Sequence, residues 1–207
     1  MRDRPLWQRA LPHIPVIAGA IVMIYPLLWM LSSSFKLPQH IFTDRGLWSE
    51  TFTLDNYVIG WRGVANTPFW VFFRNSFFVA GLAIAGNVLS CSLAAFAFAR
   101  LEFALKKVLF ACMLVTMMLP YHVVIIPQYI LFNQLGWINT FMPLTVPKFL
   151  ATEGFFIFLM VQFMRSLPAE LDQAATVDGY GPLQIYWRLV LPLSLPALVT
   201  TAIFTFI

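Results

Sequence analysis

Charge-free apolar runs alternate with short polar stretches along almost the whole chain. No Asp, Glu, Lys or Arg occurs over residues 10–35, 75–99 or 108–127, and the apolar run that opens at Leu189 is also uncharged. A fourth apolar stretch, 141–164, carries only Lys148 and Glu153. Each run approaches the roughly 20 residues that a helix needs to cross a bilayer. The pattern predicts five membrane helices at about 11–32, 72–99, 107–127, 141–164 and 189–207. Between them lie a polar far-side loop over 33–70 and a second polar loop over 166–188. Met1–Ala10 carries Arg2, Arg4 and Arg9 ahead of the first run, as a secretion signal would. The uncharged stretch that follows exceeds the roughly 7–15 residues of a signal core, so it reads as a first membrane helix with a kink at Pro26. Gln128–Thr140 is semi-polar and reads as a re-entrant or surface-lying segment.

Within the second run Ala83, Asn87, Cys91, Ala95 and Ala99 recur every four residues. This spacing draws one small, weakly polar stripe down a helix, the usual signature of close helix packing. A pore-lining face has the same appearance, which makes Asn87 a candidate for the substrate path. The third run combines Pro120 and Pro127 with Met113, Met117 and Met118. That mixture reads either as a deformable segment beside a path or as gap-filling in a core. Met117, Tyr121 and His122 are its candidate path residues. In the fourth run Lys148 and Glu153 are close enough to pair, and they read as its outer end.

Composition turns this pattern into a class. Apolar residues make up 60% of the chain and charged residues 11%, against about a quarter charged in soluble domains. Mean hydropathy is +0.78. The expected fold is an all-α, polytopic integral membrane bundle in contact with lipid. A net charge of +4 raises a nucleic-acid reading, but no basic run or aromatic-interleaved basic patch accompanies it. His13, His40 and His122 are scattered and make no metal-ligand spacing, and no metal is expected. No catalytic constellation converges, so an enzyme is not expected. Cys91 and Cys112 fall in apolar segments and read as unpaired packing residues.

The polar stretch from Leu167 to Pro196 interrupts the apolar pattern. Pro168 suits a first helical turn, and Glu170 and Asp172 lie near the positive end of that helix's dipole. Gly179 stops the helix by a left-handed turn, and Pro182 opens another. Gln173-Ala174-Ala175 followed by Asp178-Gly179, and then by Pro192 and Pro196, resembles the cytoplasmic coupling (EAA) loop of ABC importer permeases. The family usually has glutamate where this chain has Gln173. SSSFKLPQHIF, TLDNYVIGW and FARLEF add wording similar to the carbohydrate-type, maltose permease-like branch of these binding-protein-dependent systems. The resemblance implies a sixth helix beyond the five and hence a chain shortened at its C-terminus. It implies a separate ATPase subunit, itself a dimer, that receives the 168–182 loop, with Glu170, Gln173, Ala174, Ala175, Asp178 and Gly179 as coupling residues. It also implies a second homologous permease and an extracytoplasmic binding protein, with a sugar or sugar derivative as cargo. The chain contains no G-x-x-x-x-G-K-[ST] phosphate loop, so ATP belongs to the partner and no cofactor is expected here.

Charge sets the expected orientation. Arg2, Arg4, Arg9, Arg100, Lys106, Lys107, Arg165 and Arg188 fall on one side; Lys36, Arg45, Arg62, Arg74 and Lys148 fall on the other. The positive-inside rule puts the first side, and the N-terminus, in the cytoplasm of a cell whose inner membrane holds the protein. Trp48 and Trp61 in the far-side loop read as interfacial anchors, with sugar stacking as the alternative. The rival class is a secondary transporter or channel without an ATPase. Ion coupling needs buried ionisable groups at mid-membrane, and the sequence shows almost none there.

Overall fold

The computed structural model describes residues 11, 13–44, 46–48, 51–65 and 67–207, with the side chain of Tyr121 excepted. Arg2, Arg4, Arg9, Arg45 and Glu50 lie outside the described residues. Among those described, the chain is helical throughout and forms no strand beyond an isolated bridge between Val64 and Thr67. It divides into two compact units, Met1–Phe73 and Arg74–Ile207.

In the first unit α1 (His13–Ser33) carries Pro26 in its interior and buries only Ser33. The polar loop after it is organised by Lys36, which is 1% exposed. Its ammonium donates to the Asp44 carbonyl at 2.8 Å and pairs with the Asp44 carboxylate. Asn56, from α2 (Asp55–Arg62), donates to the carbonyls of Ser34 and Lys36. Phe35 stacks on Phe52 at 4.9 Å. Trp61 lies against Phe69 and Phe73, while Trp48 is 93% exposed.

The second unit is built on α3 (Phe69–Arg100), which lies within it from Arg74 onward. The small-residue stripe is the buried face of this helix: Ala83, Asn87, Cys91 and Ala95 are all under 8% exposed. Small side chains let other backbones approach, and the core forms where they do. Cys91, Ala95 and Phe96 pack with Phe156, Met160, Val161 and Met164 of α7 (Gly154–Ser166), and with residues from the start of the last span. There Tyr186, fully buried, shares a 2.7 Å hydroxyl–hydroxyl hydrogen bond with Ser92.

Three of the predicted spans are interrupted. The stretch read as one helix over 107–127 is two, α4 (Lys106–Met117) and α5 (Tyr121–Gln134), which meet at about 102°. The break falls at Leu119–Pro120, where the proline disfavours helical geometry in the residue before it. Pro127 is accommodated inside α5. Most of the semi-polar segment after residue 127 is therefore helix. The stretch 141–164 begins with α6 (Met142–Thr145), tightens into a 3-10 turn (Val146–Leu150) and breaks at Ala151, whose φ is 53°, before α7. The last span starts earlier than Leu189. It runs through α9 (Pro182–Ile185), a π turn (Tyr186–Val190), α10 (Leu191–Leu193) and α11 (Leu195–Phe206), bending by 75° at Ser194. By length and composition, three helical stretches among the described residues are able to cross a membrane, or five if each bent pair is one span.

Candidate coupling site

Between α7 and α9 the chain forms α8 (Glu170–Val177), a helix of two turns. Leu167 leaves α7 with extended backbone, the conformation that a following proline favours. Pro168 and Ala169 supply the carbonyls that accept from Leu171, Asp172 and Gln173. Glu170 and Asp172 occupy the first turn, where the helix dipole favours a carboxylate.

The far end is closed by a left-handed glycine. Gly179 has φ +85°, its N–H donates to the Thr176 carbonyl at 3.0 Å, and the Tyr180 N–H donates to the Ala175 carbonyl at 2.9 Å. This pair of bonds is a Schellman turn, which satisfies carbonyls that the helix leaves unpaired. Two residues on, the Gln184 side chain accepts from the Gly181 N–H at 3.0 Å and starts α9. The elbow therefore joins two capped helices.

Arg100, the last residue of α3, fixes this element to the bundle. Its guanidinium donates to the Leu167 carbonyl at 3.0 Å and pairs with the Asp172 carboxylate at 3.2 Å. The two side chains are only 10% and 21% exposed. One side chain thus holds both the exit of α7 and the first turn of α8. Arg165 repeats the link in reverse, donating to the Phe98 carbonyl at 3.3 Å with its guanidinium 5.4 Å from the Phe110 ring centre. At the other end Arg188 lies over Tyr180.

The anchoring divides the coupling residues. Ala175 is 8% exposed and packs into the core cluster, so it is not a surface for a partner. Glu170, Gln173, Ala174, Asp178 and Gly179 are exposed. With Val177, 87% exposed, and Leu183, 67% exposed, they form an outward face of mixed apolar and polar character. Glu170, Gln173, Ala174 and Val177 share one side of the helix because they are spaced by three and four residues. Sequence reading gave Arg100 only as a boundary charge; the interaction that makes it structural joins residues 72 positions apart. Its signal, a basic residue ending a long apolar run, is common to every membrane boundary.

The candidate path residues do not form one constellation. Asn87 is fully buried and its amide donates to Thr205 of α11 at 3.1 Å, which places it in helix packing. Met117 ends α4 and touches the chain at Gly154, where an added Cβ would meet its Cγ at 2.9 Å. His122 is exposed in the first turn of α5, and the side chain of Tyr121 lies outside the described residues. Lys148 and Glu153 do pair. They stand beside the middle of α3, however, and not at the outer end of a span. The sequence reading missed this because it took 141–164 as one continuous helix.

Comparison with known proteins gives a consistent result. Residues 86–207 match the family described as binding-protein-dependent transport system inner membrane components. Over 210 residues the chain is 32% identical to the trehalose/maltose transport system permease protein MalG of Thermococcus litoralis, covering all of this chain and 73% of that one. It is 32% identical over 199 residues to the sn-glycerol-3-phosphate transport system permease protein UgpE of Salmonella typhi, covering 94% and 70%. Across eight such relatives the chain spans 60% to 73% of their length. A crystal structure of a bacterial ABC transporter for import of the acidic polysaccharide alginate has the same fold. Its TM-score is 0.84 at 21% identity, over 99% of this chain and 72% of that one.

Proposed function

The chain belongs to the family of binding-protein-dependent transport system inner membrane components, and from that premise we propose that it is a permease subunit of an ATP-driven importer. The observation that carries this reading is α8. It is a short helix with an exposed mixed face, closed at its C-terminus by the Gly179 turn and tied to the end of α3 by the largely buried Arg100–Asp172 pair. Such an element is suited to pass a push from a soluble partner to α3 and α7 without bending. The partner is an ATPase subunit, acting as a pair, with the outward face of α8 in its surface cleft. Closure of that pair on ATP would bias the membrane helices between outward-open and inward-open states. ATP binds and reacts on that subunit. A second permease of similar fold and an extracytoplasmic binding protein complete the assembly. Because relatives include permeases of sugar and glycerol-phosphate systems, the proposed cargo is a sugar or sugar derivative. Positive-inside charge supports a cytoplasmic α8 and N-terminus.

The test is affinity purification of the membrane-embedded protein followed by mass spectrometry, for wild type and Gly179→Val. A β-branched residue at φ +85° strains the turn, by about 1–2 kcal/mol for the left-handed conformation alone, although the space for its Cβ is open. Wild type is expected to bring down a Walker-motif ATPase and a second permease. The variant is expected to stay in the membrane and lose most of the ATPase. Purification of wild type without an ATPase under every nucleotide condition would overturn the reading.

A further inference from the structure

Lys148 and Glu153 flank the break in the fourth span and pair across it. Their height follows from α3, against which the break is docked. An added Cβ on Gly86 would lie 3.0 Å from both the carbonyl carbon and the Cβ of Lys148. The Ser90 hydroxyl donates to the Lys148 carbonyl at 2.7 Å. The Cys91 thiol lies 3.9 Å from the Glu153 carbonyl. The uncharged part of α3 runs between Arg74 and Arg100, so residues 86–91 are its centre. At 1.5 Å per residue they stand about 14–21 Å above Arg100, in a hydrocarbon layer about 30 Å thick. A second ruler agrees. From Arg165, which meets α3 at Phe98, α7 climbs about 17 Å to Gly154. The pair is at mid-membrane.

Both side chains remain about one third exposed, 30% for Lys148 and 36% for Glu153. A charged pair at this depth is too costly to present to lipid tails, and such groups face a bundle interior or a water-bearing cavity. Broken helices at the membrane centre are likewise tolerated only where protein or water covers the freed backbone. Here Thr152 donates to the Pro147 carbonyl at 3.0 Å, and the Glu153 carbonyl accepts from Phe156 and Ile157. The backbone at the break is largely satisfied by the chain, which leaves the two charged heads as its open chemistry.

We propose that Lys148 and Glu153 form a polar station on the translocation path that hydrogen-bonds the hydroxyl groups of a neutral polyhydroxylated solute in transit. The proposal rests on the importer reading above. An ammonium donates three hydrogen bonds and a carboxylate accepts several. Side by side they match a pair of neighbouring hydroxyls, each of which donates and accepts. Charge-assisted bonds of this kind are the stronger class. Because the two charges cancel, the station attracts neither anions nor cations as such.

Two arms test this in the complete transporter, held in lipid nanodiscs with its ATPase, second permease and binding protein. In a Cys91→Ala/Cys112→Ser background, Thr152→Cys leaves the ion pair in place and puts a thiol beside it. A water-soluble quaternary ammonium methanethiosulfonate is expected to label it at least roughly tenfold faster in one of two states, nucleotide-free or ATP plus vanadate. Absence of labelling in both states, or equal rates in both, would overturn the placement on a path that opens and closes. The second arm removes both charges with Lys148→Met/Glu153→Gln, a change that leaves no unpaired charge to block insertion. Uptake of radiolabelled trehalose, maltose, diacetylchitobiose and glycerol 3-phosphate is measured in vesicles. For the neutral sugars that wild type transports, uptake is expected to fall roughly tenfold or more at unchanged complex yield, the scale of a lost hydrogen bond to a charged group. Wild-type uptake by the variant would show that the pair merely neutralises itself. Failure of the ATPase to co-purify would instead defeat the importer reading, an outcome that neither arm can mimic.

Discussion

Arg100 shows how much a single side chain holds in place at the coupling end. Its guanidinium joins the exit of α7, through the Leu167 carbonyl, to the first turn of α8, through Asp172. Arg100→Ala would leave a largely buried carboxylate without its partner and a carbonyl without a donor, a loss on the scale of about 1.5–3 kcal/mol for hydrogen bonds to charged groups. The expected result is a lower melting temperature in detergent and loss of most of the bound ATPase. Arg100→Lys keeps the charge but not the forked geometry that reaches two acceptors, so it should recover stability more than coupling. Equal ATPase recovery from wild type and Arg100→Ala would remove Arg100 from the coupling mechanism. Asp172 belongs to the same device, whereas Gln173, exposed on the outward side of α8, is expected to tolerate change to Glu with no loss of assembly.

At the level of elements, two close approaches keep the interrupted fourth span in register. Gly86 faces backbone: its Cβ would meet the Lys148 carbonyl carbon and Cβ at 3.0 Å and Phe149 at 2.9 Å. Gly154 faces Met117, with the Cγ at 2.9 Å and the sulfur at 3.4 Å. Methionine has rotamers to spare and can withdraw, while a backbone pinned by Ser90 cannot. Gly86→Ala is therefore expected to cost more than Gly154→Ala, by about 1–3 kcal/mol of overpacking. Thermal unfolding of the two purified variants measures the order, and the reverse order would mean that α3 and the break are not rigidly docked.

For the molecule as a whole, orientation decides what the anchored helix can meet. The proposed orientation rests on the positive-inside count, from which Lys148 drops out because it is docked beside the middle of α3. The remaining far-side cations are Lys36, Arg45, Arg62 and Arg74, against eight on the side of α8. Val177, 87% exposed on α8, provides the probe. In a Cys91→Ala/Cys112→Ser background, Val177→Cys should react with a membrane-impermeant maleimide in inside-out vesicles and not in intact cells. Labelling in intact cells would invert the topology and put α8 out of reach of ATP.

The sequence by itself determined the class, the apolar runs and the elbow. Long uncharged apolar runs have one stable medium, and they are recognised without any knowledge of contacts. The buried stripe of α3 was legible because packing of membrane helices selects small residues at helical spacing. The Schellman turn at Gly179 was legible because only local backbone geometry is involved. Where helices break was not legible. A proline marks a possible kink, but Pro127 sits inside a helix while Pro120 ends one, and only neighbouring elements decide which freed backbone groups find partners. The same holds for long-range pairing. Ala174 and Ala175 are identical in sequence, yet one faces out and the other is core, because the tie between Arg100 and Asp172 sets the rotation of α8. The depth of Lys148 and Glu153 was hidden for the same reason: depth along a broken span is a property of what it is docked against, and that was decided by the fold.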